Sequence, residues 1–157
     1  MKRLLLTLPL VFLLASVAPY RPAPSVIPAR SRDGLTVYSL ASIITGAPEE
    51  ILRGIAFAES SGRDSAIGDG GESIGRFQLR EVYHSERAAR WGEYDPRDPE
   101  EAAIIAGHIL MDNLGQLGDM DLAIAAYRQG VEGVRRDGAT GWYVERVREL
   151  GIEVLHE

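Results

Sequence analysis

Cysteine is absent from all 157 residues. That excludes disulfides, thiolate-bound zinc and thiol chemistry, and it leaves no site for a lipid-anchoring thioether. Basic residues are in the minority, with 17 Lys and Arg against 23 Asp and Glu and a formal charge of -6. Such a chain lacks the clustered cations that a nucleic acid demands. Histidine is scarce: His84, His108 and His156 are too scattered in sequence to suggest a metal site, and each reads as a surface or boundary residue. No internal repeat at solenoid spacing is present, and no cofactor or metal is implied.

What is there begins at the N-terminus. Lys2 and Arg3 precede a mostly apolar run from Leu4 to Val17. This is the layout of a secretory signal, and the run is short for a membrane-spanning helix. Small residues at 16–18 suit signal peptidase, but Pro19 disfavours cleavage. Residues 1–18 are therefore expected to be a signal peptide or an uncleaved membrane anchor. Either sends the rest of the chain out of the cytoplasm, to the periplasm or cell envelope. Residues 19–34 carry Pro19, Pro22, Pro24 and Pro28 with Arg21, Arg30 and Arg32 between them. They read as an extended tether. The folded domain is assigned to 35–157, with apolar content of 45% and charged content of 25% over the whole chain, ordinary for a globular protein.

From Leu35 onward the periodicity is helical. The pattern predicts a modest helix from Leu35 to Ile44. A second begins at Pro48, with Ile51, Ile55 and Ala58 on one face, and ends near Ser61 with Gly62 as its stop. Residues 62–76 hold Gly62, Gly68, Gly70, Gly71 and Gly75, the chemistry of a loop or short hairpin. A brief helix or strand follows at Phe77 to Val82. Asp98-Pro99-Glu100-Glu101 starts another helix, expected to stop at Leu114-Gly115. Asp119 caps the next, which Gly130 ends. A last helix spans about Trp142 to Leu150. Trp91 and Tyr94 fall in an expected loop, where they would either stack on a ligand ring or cover the core. Arg135 and Arg136 read as solvated.

Three blocks carry the chemistry: Glu59-Ser60-Ser61-Gly62 at a helix end, Ser73-Ile74-Gly75-Arg76-Phe77-Gln78 after the glycine-rich loop, and Ala125-Ala126-Tyr127-Arg128-Gln129-Gly130 at a later helix end. Tyr143-Val144 forms a weaker fourth. Glu59 follows Ile55, Ala56, Phe57 and Ala58, so its side chain belongs at the edge of the core. Partial burial raises a carboxyl pKa, and a protonated carboxyl can donate to a leaving oxygen, as glycoside cleavage requires. Taken alone, Glu59 reads as a solvated residue in a last helical turn.

In order and spacing these blocks resemble the soluble lytic transglycosylases and goose-type lysozymes of the lysozyme-like superfamily, over roughly Pro48 to Leu150. The resemblance implies a mainly α (α+β lysozyme-like) fold: a helical domain with a small glycine-rich loop or β-hairpin beside the cleft. It implies Glu59 as catalytic acid, with Ser60, Gly75, Gln78, Tyr127 and Tyr143 binding substrate. Gly75 would let the backbone approach the ligand, and Gln78 would line the sugar cleft. The substrate would be the peptidoglycan glycan strand, cut between N-acetylmuramic acid and N-acetylglucosamine. In the transglycosylase route one carboxylate suffices. A hydrolytic muramidase would want a second, for which Asp69 and Glu72 are the candidates. A non-catalytic glycan-binding or scaffold module is the reading of another class. One position departs from the pattern: Arg128 stands where the family has Asn. It is expected to pair with an acidic loop residue or with a substrate carboxylate.

Overall fold

The computed structural model describes residues 35–153, so the expected signal or anchor (1–18) and tether (19–34) lie outside the described residues. The described residues form seven α-helices and a small three-stranded antiparallel sheet. The helices are α1 (Val37–Thr45), α2 (Glu49–Ser60), α3 (His84–Trp91), α4 (Pro99–Leu117), α5 (Met120–Gln129), α6 (Val131–Asp137) and α7 (Gly141–Glu153). Strands β1 (Ile67–Gly68), β2 (Ser73–Ile74) and β3 (Leu79–Arg80) form the sheet between α2 and α3. The expected mainly α fold with a small hairpin-like insertion is therefore observed. None of the described helices is long and apolar enough to cross a membrane.

Helix ends follow local chemistry. Asp98 and Asp119 each accept two backbone N–H bonds at the starts of α4 and α5, which satisfies donors that a helix start leaves open. Glu101, three residues after the Asp98 cap, accepts from the Asp95 N–H at 2.7 Å. Helix α4 passes through Gly115 and stops at Gly118, whose φ of 73° closes the turn, one turn later than expected. Two helices escape the periodicity: α3 and α6 bury one residue each, Trp91 and Val134. Too few apolar positions recur in them to make a stripe.

The core gathers Leu52, Ile55, Phe77, Ile104, Ile105, Leu110, Ile124 and Val147. Trp91 and Tyr94 join it, as core cover rather than exposed stacking platforms; Trp91 lies parallel to His108 with ring centroids 5.3 Å apart. Through this core, α2 and α7 run against each other in close contact. A Cβ on Gly54 would collide with the Val147 carbonyl, and one on Gly151 with the Glu50 carbonyl. The two helices thus touch backbone to backbone along matched four-residue steps, 50 to 151 and 54 to 147. The next step of that antiparallel register brings Tyr143 to the end of α2.

Candidate active site

That end of α2 carries Glu59. Its side chain is half-buried, and the Tyr143 hydroxyl donates to Oε1 at 2.5 Å. Burial is the largest influence on its pKa and pushes it up; the Tyr143 bond and the Arg128 charge oppose this, and the Asp69 charge adds to it. A carboxyl raised in this way retains its proton to higher pH, as a general acid must. The Tyr143 phenol is itself pushed up, first by burial and then by the neighbouring Glu59 charge, so it stays a donor.

Helix α2 stops immediately after Glu59-Ser60 because Ser61 turns left-handed, with φ 57°, and Gly62 follows at φ 73°. Ser60 holds the turn to the sheet segment. Its Oγ donates to the Arg76 carbonyl at 2.8 Å and accepts from the Arg63 N–H at 3.0 Å. Ser60 is 6% exposed, has its hydroxyl engaged by these bonds, and is not among the residues lining the cleft beside Glu59. Gly75 too is set back from the cleft. It is buried at φ 75°, and a Cβ would strike the Pro96 carbonyl. The close approach it permits is to the chain's own backbone, and it is not among the residues lining the cleft. Tyr143, 1% exposed, reaches the cleft only through its bond to Glu59 and does not itself line it.

Gln78 and Tyr127 do face the cleft with Glu59. The Gln78 amide Nε2 donates to the Gly75 carbonyl at 2.8 Å, which fixes the plane of the group. Its backbone lies at φ 47°. The Tyr127 hydroxyl donates to the Phe77 carbonyl at 3.0 Å, tying α5 to the chain just ahead of β3. Burial above all, then the Glu59 charge, raises the phenol pKa, so it too stays protonated. Of the two candidate second carboxylates, Asp69 lines the cleft and accepts the Ser73 hydroxyl at 2.6 Å. Glu72 is exposed, is bound to Arg80 at 2.7 Å and does not line the cleft, so the structure does not bring it to the site.

The cleft holds about 650 Å³ and continues into a shallower recess between α3, α4 and α6. Tyr83, Arg87 and Asn113 line both and were missed by sequence reasoning. For Asn113 a signal existed. It falls four residues after Ile109, a polar side chain on an inward face, and it is 8% exposed with Nδ2 donating to the Ala123 carbonyl at 3.3 Å. Tyr83 and Arg87 carry no such signal. Among the described residues, the non-glycine residues at positive φ are Ser61, Asp69 and Gln78; one ends the Glu59 helix and two line the cleft. Strained backbone of this kind is held where surrounding structure dictates it, often at functional sites.

The arrangement sets one half-buried carboxyl, its pKa raised by burial, beside a fixed amide on the wall of an open cleft. No curated protein sequence matches the chain. The family model described as the transglycosylase SLT domain matches residues 40–141, a span that includes Glu59, Gln78 and Tyr127. The chain belongs to the transglycosylase SLT domain family, whose activity is of the lytic transglycosylase type and is directed at peptidoglycan.

Proposed function

We propose that this protein cleaves the β-1,4 bond between N-acetylmuramic acid and N-acetylglucosamine by intramolecular transglycosylation, with Glu59 as acid and then base. The observation that supports this most is the half-buried Glu59 carboxyl, raised by burial and bonded to Tyr143 on the wall of the cleft. In the first step the Glu59 O–H protonates the glycosidic oxygen, which leaves with the electron pair of its bond to C1. The acetamido oxygen of the same sugar stabilises the cationic C1. In the second step the C6 hydroxyl attacks C1, and the Glu59 carboxylate takes its proton. The anhydro ring closes, the acid is regenerated and no water is consumed. Gln78 would bond hydroxyl or N-acetyl groups of the strand through its amide.

A hydrolytic muramidase is the second reading, and the observation that favours it is Asp69 on the same cleft wall. Hydrolysis in this manner uses a second carboxylate to activate water. Mass spectrometry of fragments released from purified peptidoglycan separates the two. Transglycosylation yields products lighter by one water, and Glu59→Gln lowers their yield on the order of 10²–10⁴-fold. Products that carry the water, with activity lost in Asp69→Asn, would establish hydrolysis. Glycan binding without any released fragment would leave a non-catalytic module. The substrate lies outside the cytoplasm, and the basic-then-apolar N-terminal pattern supports the further proposal of export to the periplasm or cell envelope.

A further inference from the structure

We propose that Arg128 recognises a carboxylate carried on the lactyl arm of the muramyl sugar, and so makes the cleft selective for anionic glycan over neutral chitin-type chains. The inference rests on the reading that glycan occupies this cleft, and it adds what the cleft selects.

Three cations line the cleft: Arg80, Arg87 and Arg128. The first is neutralised by Glu72 at 2.7 Å. Arg87 donates to the Arg80 carbonyl at 3.2 Å and lies over the Tyr83 ring. Arg128 differs. Among the described residues it makes no ion pair and no hydrogen bond, so the expected pairing with an acidic loop residue does not occur. Its guanidinium sits 5.0 Å from the Trp142 ring centroid and 5.6 Å from that of Tyr143. A guanidinium held over aromatic faces in this way spends none of its N–H donors on them, and those donors form a fork matched to a carboxylate.

Position adds to the case. Arg128 is exposed on the cleft wall, near enough for its charge to favour the Glu59 carboxylate over the acid. An isolated cation there works against a proton donor. A substrate carboxylate bound to it would cancel the charge and leave the donor protonated. Of the two sugars in the strand, only the muramyl unit bears an arm ending in a carboxyl. That carboxyl is free where the stem peptide has been removed. Where the stem is intact, the carboxylates are those of the peptide.

Calorimetric binding to the Glu59→Gln protein tests this with three probes: a chitin oligomer, a muramyl oligosaccharide with free lactyl carboxylates, and the same strand bearing stem peptides. The expected result is a preference of roughly tenfold for at least one anionic probe over chitin. Arg128→Asn should collapse that ratio to about one, and Arg128→Lys should restore part of it. Thermal melting verifies that each variant is folded. Preference for the denuded strand assigns the carboxylate to the lactyl group; preference confined to the peptide-bearing strand assigns it to the stem. A ratio that Arg128→Asn leaves at its original value, or a protein that never distinguishes the probes, overturns the proposal while the glycan reading stands. Binding to none of the three overturns both.

Discussion

The short bond from Tyr143 to Glu59 joins two opposed influences on one proton. Burial holds the proton on, and a phenol donating to the carboxylate draws it off. Removing the phenol in Tyr143→Phe leaves burial less opposed, so the Glu59 pKa rises further. The alkaline limb of the activity profile should then move to higher pH. With the carboxyl no longer positioned, kcat should fall by roughly 10- to 100-fold. A limb that stays in place would show that Glu59 is not the group titrating. The same elevated pKa has a consequence for stability. The folded state holds the Glu59 proton more tightly than the unfolded chain does, so this residue destabilises the fold once pH exceeds its folded pKa, and the penalty fades as pH drops to the ordinary carboxyl range. Calorimetry should therefore find Glu59→Gln melting above the wild type at neutral pH and level with it in acid. A variant that melts lower at neutral pH would contradict the burial.

Helices α2 and α7 determine whether those two side chains meet. Their contact depends on Gly54 and Gly151, each lying where a side chain would press into the opposite backbone. Gly54→Ala forces the pair apart at Val147, one helical turn from Tyr143. Overpacking of this sort costs about 1–3 kcal/mol, readable as a shift in denaturation midpoint. Activity at a temperature where the variant is fully folded should fall as well, because the Tyr143 bond lengthens. Normal activity in the folded variant would mean that the register is not what delivers Tyr143. At this scale much was legible in advance. The stripe on α2 and the caps at Asp98 and Asp119 are local patterns. The end of α4 was not, because Gly115 and Gly118 are equally good stops on paper. Only the latter adopts a left-handed turn, and Gly115 remains an exposed helical residue.

Across the whole molecule, the sheet segment is tied back to the helical body at a few points. Arg76 binds both oxygens of Asp64, at 2.5 and 2.9 Å, and reaches the Tyr38 hydroxyl of α1 at 3.2 Å. Ser60 and Tyr127 add bonds to the carbonyls of Arg76 and Phe77. Arg76→Ala should cost about 1–3 kcal/mol and act locally. Hydrogen exchange should accelerate across residues 62–80 while α2 and α7 keep their protection. Uniform acceleration would instead make this segment part of the global folding unit. By itself, the order of residues determined the helical class, the glycine-rich insertion and the short ordered motifs of the family, since each is written in local periodicity or spacing. It did not set Ser60, Gly75 and Tyr143 behind the cleft lining, nor separate Asp69 on the cleft wall from Glu72 in its ion pair. Those placements turn on which way a side chain faces and what fills its last hydrogen bond, and both are decided by segments far apart in the chain, once they have packed.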